Sequence, residues 1–299
     1  MSFRSVIITN SCNLAVKDRS LTITNNEKYK IPLEDINTLV IDGIGITITN
    51  NLLSDLADNN ISAIICDKKH LPNTIILPLN SHYKAYKIIK EQLELTEPFK
   101  KRIWQLLIKQ KLMNQGICLE LLNLNGAENL FNLKNDVRTG DLTNRESVGA
   151  RFYFKVLFGE NFKRSNEDIV NSALNYGYTI MRSAIARALT SHGFNCLLGV
   201  NHCNELNSFN LADDFIEPFR PIVDLWVYKN VLQQNEFTKK HRIELINLLN
   251  YECVINNGNQ SILNAINIMI GSYSTCCFNN NYRLLKLPVI KALKYHLYE

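Results

Sequence analysis

The sequence predicts an α+β fold, with a small N-terminal β-sandwich-like domain over residues 1–80 followed by a larger all-α domain over residues 81–299. Three observations lead there. Up to about residue 80 the chain is made of short β-branched runs separated by turn residues, and from His82 onward apolar residues recur at helical spacing. A chain of 299 residues is long enough for two cores, because domains cluster at roughly 100 to 150 residues. Hydrophobic residues make up 46% and charged residues 20%, which is a globular composition rather than a disordered one.

The predicted strands follow one another closely: Val6–Ile8, Leu14–Val16, Leu21–Thr24, Tyr29–Ile31, Leu39–Ile41, Ile44–Ile48, Ile61–Ile65 and Thr74–Leu77. Lys17–Arg19 and Asn25–Asn26 separate the early ones, and the Asn pair suits the positive φ of a tight hairpin turn. Between Asn50 and Asn59, Leu52, Leu53 and Leu56 fit one short helix lying on the sheet. This part holds no His or Cys cluster and no Gly-rich loop, so it reads as scaffold or dimer surface. The predicted boundary falls at Leu79–Ser81.

Thr96-Glu97-Pro98 is a helix start, with a hydroxyl cap, an acid and an early proline, and it opens a helix through Ile103, Leu107 and Lys111. Thr143 to Phe158 forms the next clear helix, closed by Gly159. Ser165–Asp168 begins the longest predicted helix, whose stripe Ile169, Ala173, Tyr176, Ile180, Ala184 and Ala188 ends at Gly193. Helical patterns resume at Ser261–Gly271 and at Pro288–Leu297.

No apolar run approaches about 18 residues, and Met1 to Ile8 enters a strand-like run without a basic-then-apolar leader, so a soluble cytoplasmic protein is expected. The eight cysteines form no CxxC pair and read as small core residues, and a zinc site built from Cys196, Cys203 and His202 is set aside for want of a second cluster. Net charge is +5 but unevenly placed. Residues 84–111 hold eight basic side chains against three acidic ones, the footprint expected of a face that meets a polyanion. The plainer alternative is a solvated helix face with i,i+4 pairs such as Lys87 with Glu91 and Lys90 with Glu94.

Chemistry concentrates between Gly199 and Asp224, where His202, Glu205, Asp213, Asp214 and Glu217 stand in a segment that otherwise reads as buried helix. A carboxylate among apolar residues loses hydration unless a cation, proton or donor replaces it. Imidazole with carboxylates suits Mn²⁺ or Mg²⁺ on a phosphate substrate and, less well, Zn²⁺. Pro218 places Glu217 at a helix break. Read as structure alone, the acids are surface groups and His202 a hydrogen-bonded loop histidine. Glu146 has its own structural reading, because Thr143-x-x-Glu146 matches a capping box.

His202 with Asn207–Asp214, followed by Glu217–Asp224, resembles the signature of the CRISPR-associated protein 1 family, the catalytic subunit of the spacer-acquisition integrase. The resemblance runs along nearly the whole chain. Ile31–Ile36, Leu39–Gly43 and Ile65–Lys69 look like the family's N-terminal β domain. Ser81–Lys84 with Gln92, Trp104-Gln105 and Asn114-Gln115 look like its type II branch. The resemblance implies that Glu146, His202 and Glu217 are the metal ligands and catalytic residues, that the ion is Mg²⁺ or Mn²⁺, and that Asp214 is an auxiliary acid. Glu217 stands where some branches carry Asp.

By the same resemblance, residues 1–80 are a dimerisation scaffold and residues 81–299 the catalytic, metal-binding and DNA-binding part. The implied reaction is transesterification, in which a prespacer 3′-hydroxyl attacks a phosphodiester at the edge of a CRISPR repeat. The implied partners are prespacer and repeat DNA, a second copy of the chain in a homodimer, a dimer of CRISPR-associated protein 2 and other type II adaptation proteins. Lys84, Lys87, Lys100, Lys101, Arg102 and Arg220 are the candidate DNA contacts, Arg220 having Asp224 as an alternative partner, and Trp104 reads as core. Two other functions stay open on the sequence: a stand-alone metal-dependent endonuclease acting on branched DNA, and a non-catalytic architectural DNA-binding subunit.

Overall fold

A computed structural model describes residues 4–68, 70–78 and 82–297. The boundary expected at Leu79–Ser81, together with Lys69, lies outside the described residues. The first part comprises β1 (Arg4–Ile8), β2 (Asn13–Lys17), β3 (Ser20–Thr24), β4 (Lys28–Pro32), β5 (Ile36–Ile41), β6 (Thr47–Ile48), α1 (Asn50–Asp58), β7 (Ser62–Cys66) and β8 (Pro72–Ile76). Every predicted β run is a strand, except that Ile44–Ile48 is extended only at its end.

Two four-stranded sheets result, in orders β1-β5-β7-β8 and β4-β3-β2-β6. In the first, β1, β5 and β7 run parallel and β8 is antiparallel to β7. All six residues of β5 are buried, because both faces of this sheet are covered, as parallel strands require. One face shares a core with the second sheet and α1 through Leu14, Leu21, Leu39, Leu52 and Leu56. The other contributes Val40 and Ile64 to the larger core of the helical part. The β2–β3 turn takes positive φ at Asp18 and Arg19, whereas the β3–β4 turn is an Asx turn in which Asn25 Oδ1 accepts from the Glu27 amide. The Asn pair therefore does not supply the expected left-handed backbone; a side-chain acceptor shapes the turn instead.

The remainder comprises α2 (Ala85–Glu94), α3 (Glu97–Leu121), α4 (Ala127–Asp136), α5 (Arg145–Phe158), α6 (Ile169–Ser191), α7 (Asn210–Phe215), α8 (Arg220–Asn230), α9 (Lys239–Asn247), β9 (Tyr251–Ile255), β10 (Gly258–Ser261), α10 (Ile262–Asn279) and β11 (Val289–Tyr295). Thr96 caps α3 and Asp168 caps α6 as their sequences indicate. At 25 residues α3 is longer than α6, at 23, reversing the predicted order.

The all-α expectation for this part needs correction. β10, β9 and β11 form a three-stranded antiparallel sheet, and residues 288–297 hold a strand where a helix is expected. Val289, Ile290 and Leu293 fit either period, and the open edge of β9 decides: Val289 and Ile290 pair with Val254 and Cys253. No helix among the described residues is long and apolar enough to cross a membrane. All eight cysteines are free, and Cys203 is exposed rather than a core residue.

Candidate active site

Helix α3 organises the site. Its buried stripe includes Trp104, Ile108, Lys111 and Gln115, residues three or four apart that share one face. The stripe presents the Trp104 ring edge-on to His202, at 5.6 Å between centroids and 89° between planes. Two turns further on, Lys111 Nζ stands 2.8 Å from Glu146 Oε1 and 2.5 Å from Glu217 Oε2. Two carboxylates from separate elements thus converge on one ammonium whose side chain is 8% exposed.

Glu146 reaches this point because other residues cap its helix. The N-cap of α5 is Asn144, in the left-handed region at φ 51°, and its side chain accepts from the Ser147 amide. Asp141 accepts from the Arg145 and Glu146 amides, both at 2.9 Å. With Thr143 outside the cap, the capping-box reading of Glu146 does not hold, and its carboxylate is committed to Lys111 instead.

His202 is held by Asp214, which is fully buried. Asp214 accepts from the amides of Val200, Asn201 and His202 and from His202 Nδ1 at 2.7 Å. A carboxylate can only accept, so Nδ1 carries a proton, and in the neutral imidazole Nε2 keeps its lone pair. The Asp214 hydrogen bond raises the imidazole above its ordinary pKa against the opposing effect of burial, and the Glu217 charge adds to the rise. Gly199 permits the loop to close: a Cβ there would lie 2.2 Å from the His202 carbonyl oxygen and 2.8 Å from Asp214 Oδ2. Gln92 ties the same loop to α2, bonding the Asn195 and Leu198 carbonyls and the Asn195 amide.

Glu217 sits where α7 ends and a short 3₁₀ turn, Glu217–Phe219, carries Pro218 into α8. Asn114 on α3 fixes this break by donating to the Pro218 carbonyl at 2.7 Å. Burial pushes the Glu217 carboxyl up, but Arg220 and Lys111 outweigh it and hold it at about 2. Arg220 Nε bonds Glu217 Oε1 at 2.8 Å and its guanidinium lies over the Tyr178 ring, so its buried partner is Glu217 rather than Asp224. Burial raises Asp224 to about 6, with the hydrogen bond it accepts from Tyr178 opposing.

Three of the predicted site residues therefore gather along one face of α3: Glu146 and Glu217 on Lys111, and His202 against Trp104. Asp214 turns toward His202 while Glu217 turns toward α3, so the two acids do not act as one pair. Among the described residues no three His, Cys, Asp or Glu side chains form a ready metal cluster. The donor set itself fits a hard divalent cation, with two carboxylates, one buried and ionised, and an imidazole of fixed tautomer.

Of the basic residues, Lys84, Lys87, Lys101 and Arg102 are exposed. Lys84 lies over Tyr83 and Lys87 over Phe278, while Lys90 makes its i,i+4 pair with Glu94 at 3.8 Å. Lys100 pairs with Glu97 and lines a cleft of about 500 Å³ that also holds His202. Lys111 belongs to none of this surface. Sequence reasoning counted it with the basic tract and missed its role, although its place in the apolar stripe after Trp104 and Ile108 was the available signal. Asn114, Gln92 and Asp141 were likewise missed as positioning residues, their partners being distant in sequence or backbone groups.

Residues 5–253 match the family described as CRISPR associated protein Cas1. The chain is 41% identical over 304 residues to the CRISPR-associated endonuclease Cas1 of Neisseria meningitidis serogroup C (strain 8013), covering 100% of both. It is 26% identical to a CRISPR-associated endonuclease Cas1 of Francisella tularensis subsp. novicida, over 72% of this chain and 75% of the other. Among solved structures, a casposase bound to integration product superposes with TM-score 0.76 at 18% identity, covering 94% and 93%. A Cas1 protein from Thermotoga maritima gives 0.72 at 14% identity, covering 92% and 97%. At these identities the solved structures speak for the fold.

Proposed function

The chain belongs to the CRISPR associated protein Cas1 family, and from that premise we propose that it is the catalytic subunit of a spacer-acquisition integrase. It joins prespacer 3′-hydroxyls to a CRISPR repeat by phosphodiester exchange. The observation that carries the reading is the convergence of Glu146 and Glu217 on one buried point of α3, beside a histidine whose tautomer Asp214 fixes.

Glu146, His202 and Glu217 would hold Mg²⁺ or Mn²⁺, and the ion when bound supplies positive charge to a scissile phosphate and to the departing 3′-oxygen. The remaining steps belong to the chain. Arg220 keeps Glu217 ionised and oriented, Asp214 keeps the His202 Nδ1 proton in place, and Trp104 fixes the tilt of the ring. Lys100 in the His202 cleft, with the exposed Lys84, Lys87, Lys101 and Arg102, would position the DNA backbone. Residues 1–80 would be the scaffold of a homodimer and residues 81–299 the catalytic part. A CRISPR-associated protein 2 dimer is the expected partner, and a Cas6-RT-Cas1–Cas2 complex holds a chain of this fold at TM-score 0.74.

The test follows a labelled DNA carrying a free 3′-hydroxyl, incubated with a repeat-bearing duplex in Mn²⁺ and in EDTA. Joined product that forms only with the metal is the expected result. Cleavage of branched DNA without joining indicates the endonuclease reading, and binding with neither product indicates an architectural subunit.

A further inference from the structure

We propose that Lys111 is the resident cation of this site: its ammonium neutralises Glu146 and Glu217 while no divalent ion is present and withdraws when one binds. Metal uptake is then an exchange of cations rather than the filling of an empty cradle. The inference rests on the reading of Glu146 and Glu217 as ligands.

The geometry is specific. Nζ lies 2.8 Å from one carboxylate and 2.5 Å from the other, and the Lys111 side chain is 8% exposed. A divalent ion would need the same two carboxylate oxygens that the ammonium now faces, Glu146 Oε1 through a hydrogen bond and Glu217 Oε2 through charge alone. The two cations cannot share the position, because like charges a few ångströms apart in a buried setting repel strongly.

Withdrawal has somewhere to go. Lys111 lines a cavity of about 220 Å³ in which Gln115 and the Asp224 carboxyl offer the ammonium acceptors, while Arg164 and Arg220 also stand in the walls and confine it to the Asp224 side. A lysine stem has four rotatable carbons and a compact charged head, which lets the ammonium move without displacing α3. Arg220 stays on Glu217 Oε1, so the carboxylate keeps one fixed oxygen while the other changes partner.

The test measures Mn²⁺ binding by calorimetry on the full chain at one pH, for the native protein and for Lys111→Met, Lys111→Gln and Lys111→Arg. Removal of the charge should tighten Mn²⁺ binding at least tenfold in Lys111→Met and Lys111→Gln, and Lys111→Arg should bind no more tightly than native. Native or weaker affinity in the two neutral variants overturns the inference. A second measurement avoids mutation at Lys111. Reductive methylation read by mass spectrometry should modify Lys111 several-fold faster with Mn²⁺ than without it, and equal rates overturn the exchange. Glu146→Gln separates the two readings. If Mn²⁺ uptake does not depend on Glu146 in either the native or the Lys111→Gln background, the metal assignment itself fails; if it does and the Lys111 variants bind like native, only the exchange fails.

Discussion

Asp224 shows how a single buried acid shapes the neighbourhood of the site. It is 1% exposed, and burial holds its carboxyl near 6 despite the hydrogen bond from Tyr178. The folded chain therefore keeps a proton on Asp224 that the unfolded chain releases near pH 3.8, so its contribution to stability falls as pH rises from about 4 to about 6. The difference corresponds to about 3 kcal/mol. Asp224→Asn never bears that charge. Its stability relative to native should improve from pH 4 to pH 7 by an amount of that order, measured by chemical unfolding at both pH values. A constant difference across the range contradicts the assignment. Glu217 works in the opposite sense. Its depressed carboxyl contributes stability above its unfolded value, and that contribution is lost as pH falls from about 4.5 toward 2, overlapping the Asp224 window only at its acid edge. Glu146 was legible as an acid in a helix, but its role was not. The choice between cap and site depended on Asn144 taking a left-handed backbone and on Asp141 folding back, and sequence spacing encodes neither.

At the scale of elements, α3 joins the chemistry to the surface that would meet DNA. Its N-terminal turns carry Lys100, Lys101 and Arg102, its middle carries Trp104 and Lys111, and Asn114 ties it to the Glu217 break and, through the Pro288 carbonyl, to the start of β11. The Lys101 stem lies over Gly140, near 3.1 Å from where a Cβ would stand, so the basic end of α3 is also packed against the turn before α5. The double change Lys100→Ala with Lys101→Ala should lower the log–log salt slope of duplex DNA binding by about 0.9 for each phosphate that the two lysines neutralise. Affinity and slope both at native values would reduce these lysines to a solvated helix face. The start of α3 and both ends of α6 could be read in sequence because caps, proline and glycine are local signals. β11 could not, because its partner β9 lies more than thirty residues away and its own apolar spacing is ambiguous.

At the scale of the molecule, the mainly parallel sheet is clasped between the second sheet and the helices, and buried polar links secure the docking. Asp42, which also pairs with His70 within the first part, accepts from Arg242 Nε at 2.9 Å, and Arg187 Nε bonds the Asn60 carbonyl. The β-first, helix-second order was legible because period changes are visible along a chain; the way the two parts dock was not, since Asp42 and Arg242 lie 200 residues apart. The edge strand β4 bears Lys28 and Lys30, charges that discourage indiscriminate strand pairing. The proposed homodimer should sediment as a dimer at micromolar concentration, and a monomer alone would remove the scaffold role of residues 1–80. The central claim is that Glu146, His202 and Glu217 act together on one ion, and the exchange Glu146→Gln tests it most directly. Gln keeps an oxygen for Lys111, so thermal stability should stay close to native, while the lost charge removes a ligand for a hard divalent ion. Joining in Mn²⁺ should then fall on the order of a thousandfold, as it should for His202→Ala and Glu217→Gln. Joining by the folded Glu146→Gln protein at the native rate would contradict the site at its centre.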